Sequence, residues 1–434
     1  MPNTDAPATD LPARHPLAQR FLPRSVHYGW WITLGASVLT FVGVGVGYYG
    51  LAVFLRPLQD EHGWSNAVVS GATGLYFSVS GLTTAVVGPI VDRRGPLRLM
   101  AGGAVLMGIA VTAVGFVDTV WQLYGVYLLL AISFGCTVGT GTQSIISRWF
   151  VSRRAQAMSI SFTGVSVGGM VLVPLGTALI DRGGLELAGP VMGILVVVVA
   201  LPVVATVLVW DPSQMGVEVD FGKPLAVDNA NLSQSVQQRS WTRGEAAGTL
   251  SFWAVLVAFV LVLAAQTGFL IHQLSFLEDR LGSRQTASFT LTVTAFGSVV
   301  ARLVVGQVAD RISKRDLSVV LFLVQAAAVV GVVLINNTIT TWVFVLIIGF
   351  TIGNVYMMQT LLVSELYGMV SFATVMGIIG LATQTGSGIG PFVVGWLEHS
   401  TGSYRTPFLV TAAVTTVAAI IVAGARPVRP DPPE

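Results

Sequence analysis

Twelve apolar stretches, each long enough to cross about 30 Å of hydrocarbon, leave this chain few folds to adopt. They fall at residues 30–54, 68–91, 99–116, 123–145, 155–179, 190–210, 252–276, 287–309, 317–335, 342–362, 374–396 and 407–423. Hydrocarbon offers no partners for backbone N–H and C=O groups, so each stretch must pair its own and form a helix. The expected fold class is an all-α membrane protein of twelve transmembrane helices. Composition agrees: of 434 residues, 53% are hydrophobic and 10% charged, with mean hydropathy +0.75. A soluble domain carries about 25% charged residues.

Polar segments divide the chain. Residues 1–27 carry Pro, Ala and Arg without an apolar core, which reads as a disordered cytoplasmic tail and not a cleaved signal. Residues 28–210 form a first six-helix bundle, 211–250 a cytoplasmic linker, 251–425 a second bundle, and 426–434 a Pro-rich tail. With the N-terminus inside, seventeen of the 23 Lys and Arg residues fall on inner segments. Five fall outside (Arg56, Arg182, Arg280, Arg284, Arg405), which places both termini in the cytoplasm. A net charge of +2 gives no reason to expect a nucleic-acid partner. The single cysteine, Cys136, excludes a disulfide framework within the chain. No metal cluster, phosphate loop or acylation triad is present, so neither an enzyme nor a bound cofactor is expected. No obligate protein partner is expected either; the partners are the lipid bilayer and small solutes.

The two halves repeat. Gly88-x3-Asp92-Arg93 runs off the end of the second stretch, and Gly306-x3-Asp310-Arg311 off the end of the eighth. Such duplication marks carrier folds, with the binding site between the halves near the midplane.

Arg302 completes the count of cations, and it stands inside the eighth apolar stretch. A cation at that depth costs at least a few kcal/mol unless it faces a protein interior or water and meets an anion. No carboxylate lies at comparable depth. The missing partner is then a substrate anion, or else Arg302 bonds helix carbonyls. The corresponding residue of the other half is Thr84, so the fold itself does not require a cation there. The planar guanidinium suits a carboxylate because it can bond both oxygens at once.

The run Gly88-Pro89-Ile90-Val91-Asp92-Arg93-Arg94-Gly95 resembles the signature loop of the major facilitator superfamily, and Gly306 to Arg315 resembles a second copy, with Ser313 where the first has Gly95. The membrane region is similar to the monocarboxylate transporter family and its bacterial oxalate–formate antiporter relatives. The similarity rests on Tyr28-Gly29-Trp30-Trp31, Gly63-Trp64-Ser65, Ser147-Arg148-Trp149-Phe150, Asp211-Pro212, His272, Gly390-Pro391 and Thr401-Gly402-Ser403-Tyr404, in that order. The resemblance implies two pseudo-symmetric six-helix halves working by alternating access. Gly88, Asp92, Arg93, Gly95, Gly306, Asp310 and Arg311 would form a cytoplasmic latch. Arg302 would hold the substrate carboxylate. Two departures narrow the substrate. Animal monocarboxylate carriers have an aspartate where this chain has Ser298 and a lysine near Tyr49. The oxalate exchanger has a second buried cation where this chain reads Thr383-Gln384-Thr385. One cation matches one carboxylate, so a monocarboxylate is expected over a dicarboxylate.

Tyr356, Asn354, Gln143, Tyr49 and Gln384 are polar side chains on interior-prone segments that can close around such an acid. Interhelical hydrogen bonds are the alternative role for each. His272, with a pKa range that suits proton transfer, is a proton-coupling candidate or an interfacial histidine bonding a carbonyl. The expected function is proton-coupled symport of lactate- or pyruvate-like monocarboxylates in a bacterial inner membrane. An organic-anion exchanger and, further off, a proton-driven drug exporter are the alternatives.

Overall fold

The computed structural model describes Pro16 and residues 26–219, 241–282 and 284–426. Nearly all of the expected N-terminal tail, the middle of the linker and the C-terminal tail fall outside the described residues. So do Arg14, Arg20, Arg24, Lys223, Arg239 and Arg429 of the charge count.

Among the described residues there are helices and no strands. Eleven helical stretches are long and apolar enough to cross a bilayer. One of them, Arg154–Val207, runs 54 residues, more than twice what a single crossing needs. It breaks at Gly183 and Gly184, the latter at φ 65°, and so supplies two spans, which makes twelve. Span 1 is Tyr28–Gly47 continued by Tyr49–His62, span 2 Asn66–Arg94, and span 3 Leu97–Val114. Span 4 is Val120–Thr137 continued by Thr140–Trp149; spans 5 and 6 share Arg154–Pro202. Span 7 is Leu250–Leu281, span 8 Arg284–Ala309, and span 9 Lys314–Leu334. Span 10 is Thr338–Tyr367, span 11 Phe372–Thr401, and span 12 Arg405–Ala423.

Local chemistry sets several starts. Thr119 and Gln122 form a capping box before span 4, and Thr249 caps span 7 by accepting from the Phe252 N–H. A short helix, Arg243–Ala247, precedes span 7 with its own box from Thr242 and Glu245.

Large apolar side chains point outward along the bundle: Phe392 is 75% exposed, Ile420 69% and Ile194 61%. In water such a surface would aggregate; lipid is its solvent. The core is distributed unevenly between the two ends. At the end bearing the two Asp-Arg loops, one apolar cluster runs across both halves. It includes Trp149, Phe150 and Met158 from the first half and Phe259, Tyr367 and Phe372 from the second. At the opposite end each half has its own cluster, around Phe54, Tyr76 and Met107 in one and Phe269, Val329 and Phe408 in the other. The halves are therefore packed together at the Asp-Arg end and separately cored at the other.

Candidate functional site

The two duplicated motifs make the same contact twice. Asp92, at the end of span 2, accepts from the Ala373 N–H (3.1 Å), the Thr374 N–H (2.8 Å) and the Thr374 hydroxyl (2.7 Å). Asp310, after span 8, accepts from the Ala155 N–H (2.7 Å) and the Gln156 N–H (3.2 Å). Each carboxylate thus sits on the first turn of a helix from the other half, span 11 or span 5. The first N–H groups of a helix lack intrahelical partners, and its dipole favours an anion there. The glycine four residues earlier explains how the helices come that close. A Cβ on Gly88 would lie 2.3 Å from the Ala373 carbonyl oxygen, and one on Gly306 would lie 2.2 Å from Ser159 Oγ. Burial pushes the Asp310 carboxyl above the usual carboxylate range, against the opposing pull of its two N–H donors.

The carboxylates make these contacts and the neighbouring arginines do not. Arg93 and Arg311 are exposed. The copies also turn differently. Gly95 takes φ 76°, which a side chain resists. Ser313 stays at φ −54° and uses its hydroxyl to cap span 9 through the Asp316 N–H. Other groups reinforce this end: Arg154 Nη1 donates to Ser364 Oγ (3.2 Å), the Trp241 N–H to Ser371 Oγ (2.7 Å), and Arg243 Nη2 to the Ala85 carbonyl (2.8 Å).

Between the halves lies a cavity of about 250 Å³. Spans 1, 2, 4 and 5 line it from one side and spans 7, 8, 10 and 11 from the other; spans 3, 6, 9 and 12 contribute nothing. Its walls are aromatic and amide-bearing: Tyr48, Tyr49, Phe134, Phe162, Tyr356, Gln143, Gln266, Gln359 and Gln384. Arg302 is the one charged side chain among the lining residues. Two other hollows, between spans 3 and 6 and between spans 9 and 12, are chiefly apolar and face outward.

Arg302 is 8% exposed. Its Nε donates to the Gly353 carbonyl (2.6 Å), within its own half. Its Nη1 donates across the halves, to the Phe162 carbonyl (2.7 Å) and to Ser166 Oγ (2.8 Å) on span 5. Among the described residues no carboxylate pairs with Arg302, and Nη2 has no protein acceptor. Carbonyl bonding and an uncommitted amino group thus coexist on one side chain.

Of the other expected site residues, Tyr49, Gln143, Tyr356 and Gln384 line the cavity. The Tyr356 hydroxyl donates to Gln384 Oε1 (3.0 Å), tying spans 10 and 11 together. Asn354 does not line it. It is fully buried, and its Nδ2 donates back to the Phe350 carbonyl (2.9 Å). Residues two apart on a helix point about 200° from each other, so Tyr356 and Asn354 cannot both face the space. On span 10 the lining residues are Ile352, Tyr356 and Gln359, one helical face. His272 lies off the corresponding face of span 7, formed by Gln266, Thr267 and Leu270. Its Nε2 meets the Pro391 carbonyl (3.1 Å) and its Nδ1 the Tyr404 hydroxyl (3.2 Å). That bridges span 7 to span 11 and to the residue that precedes span 12.

Sequence reasoning missed Gln266, Tyr48 and Ser166. Gln266 was visible as a lone amide in an apolar run. Ser166 stands between Gly164 and Gly168, a pair whose spacing reads as helix packing. They do pack: Cβ atoms there would lie 2.1 Å from the Ser37 carbonyl oxygen and 2.5 Å from that of Phe41. That face binds span 1, and the opposite face presents Ser166 to Arg302.

A duplicated twelve-span bundle with a polar cavity between its halves defines a membrane carrier, a transporter and not an enzyme. The pattern of the Major Facilitator Superfamily matches residues 36–375, and the chain belongs to that family. It is 24% identical over 395 residues to the oxalate:formate antiporter of Oxalobacter formigenes, covering 89% of each chain. It is 24% identical over 409 residues to monocarboxylate transporter 13 of Rattus norvegicus, covering 92% of this chain and 89% of that one. Its fold is similar to that of the human organic anion transporter MFSD10 (TETRAN), with TM-score 0.69 and 15% identity, covering 92% of this chain and 100% of the other.

Proposed function

We propose that this transporter carries small monocarboxylates, with protons, by alternating access. One observation carries the reading: among the described residues the only charged side chain lining the inter-half cavity is Arg302, which has no carboxylate partner there and an uncommitted Nη2. Desolvating a cation this way is costly unless an anion meets it. One charge suits one carboxylate, while the tyrosines, Phe134 and Phe162 wrap an apolar body. The names of the two relatives, an oxalate:formate antiporter and a monocarboxylate transporter, support an organic acid.

Tyr49, Gln143, Gln266, Tyr356 and Gln384 would shape the rest of the site. Asp92 and Asp310 would close the cytoplasmic end while the other end admits substrate, with both termini in the cytoplasm of a bacterial cell. His272 is set away from the cavity lining, so it would not serve as a proton site beside the bound carboxylate. The test is uptake of labelled lactate, pyruvate, formate, acetate and oxalate into proteoliposomes, with and without an inward proton gradient. Gradient-stimulated uptake of the monoacids is expected. Uptake of oxalate alone, and only against internal formate, would replace this reading with exchange.

A further inference from the structure

Arg302 has five N–H bonds, and they are unevenly committed. Nε is tied within its own half, to Gly353. Both hydrogens of Nη1 cross to span 5 of the other half, where the Phe162 carbonyl and Ser166 Oγ stand 2.7 and 2.8 Å away. Two oxygen acceptors on one guanidinium nitrogen supply part of what a carboxylate would supply. Ser166 itself is 8% exposed and held in place by the packing of Gly164 and Gly168 on span 1.

We propose that Ser166 and the Phe162 carbonyl are an internal stand-in for the substrate carboxylate. In the empty carrier they hold Arg302 across the two halves, so the carrier returns unloaded and catalyses net transport in place of obligatory exchange. This rests on the reading of Arg302 as the substrate anion's ligand. A buried cation with no such stand-in would have to part from its anion before an empty carrier could reorient. That penalty is what would enforce exchange. Here the penalty is met from span 5. Because the same bonds accompany closure of the Asp-Arg end, they also bias the empty carrier toward the state in which that end is shut. An arriving carboxylate takes Nη2 first. To bond through both Nη atoms it competes with Ser166 for Nη1, which couples binding to release of the contact between halves. Ser166 is thus a positioning residue, acting through Arg302.

The test compares wild type and Ser166→Ala in proteoliposomes, measuring net uptake of labelled lactate, pyruvate, formate, acetate and oxalate into empty vesicles and uptake into vesicles preloaded with the same acid. Only net uptake needs the empty return. Losing one hydrogen bond from a charged donor should lower the ratio of net uptake to exchange about tenfold, the factor that 1.4 kcal/mol represents. An unchanged ratio, or a wild type that works only in preloaded vesicles, overturns the proposal. A wild type that moves none of the five acids would defeat the monocarboxylate reading. The stand-in is then judged on the empty protein by the distance distribution between spin labels at Arg98→Cys and Asp316→Cys, with Cys136→Ser. Ser166→Ala and Arg302→Gln should both shift it toward wider separations. A distribution that neither variant alters overturns the proposal on that arm.

Discussion

Asp92→Asn tests the closure of the Asp-Arg end, and its magnitude follows from the contacts. The carboxylate accepts three hydrogen bonds at the first turn of span 11. An amide of the same shape keeps one acceptor oxygen but turns an NH2 group toward a backbone N–H and removes the charge from the helix dipole. Hydrogen bonds to charged groups contribute about 1.5–3 kcal/mol each, and an anion at a partly buried helix N-terminus up to about 2 kcal/mol. Water satisfies the same N–H groups when the end opens, so the difference between the two states is smaller than the sum. A net shift of about 2 kcal/mol, or about thirtyfold in the closed-to-open ratio, is expected. Asp310→Asn, whose carboxylate accepts two bonds in place of three, should give the smaller shift of the two. Spin labels at Arg98→Cys and Asp316→Cys, with Cys136→Ser, read the ratio as distance populations. Closed populations unchanged in both variants would refute the claim that these carboxylates hold the two halves together.

Two further outcomes follow from the same geometry. Gly306→Val should open the Asp-Arg end and lower uptake at least tenfold, because its Cβ would meet Ser159 Oγ at 2.2 Å; uptake within twofold of wild type would mean that close approach is dispensable. His272→Gln should reduce thermal stability by about 1 kcal/mol through loss of the bridge to Tyr404 and Pro391 while leaving the pH profile of uptake in place; a flattened profile would return His272 to the proton path.

Much of the fold was legible because bilayer crossing is a one-dimensional constraint. The twelve apolar runs, and the doubling inside Arg154–Val207, need only length and hydropathy. The duplicated Gly-x3-Asp pair was legible too, since repetition survives in the letters. Arg302 stood out because a charge among apolar neighbours has few explanations. What the sequence did not yield was rotation. Asn354 and Tyr356 are equally polar and two residues apart, and only the helix face decides that Tyr356 meets the cavity. Ser166 carries no signal against its glycine neighbours, because its role depends on how span 5 is turned between span 1 and Arg302. The Asp-Arg pairs show the same limit. Charge suggests that both members bind, whereas the geometry puts the carboxylate on a helix N-terminus and leaves the arginine exposed.

Uptake by wild type and Arg302→Gln in proteoliposomes asks whether Arg302 receives the substrate's carboxylate. The amide keeps hydrogen-bonding capacity and approximate bulk but carries no charge. The expected mutant is folded and has lost gradient-stimulated uptake of every monocarboxylate that wild type moves. A folded Arg302→Gln protein that takes up those acids at near wild-type rates would contradict it.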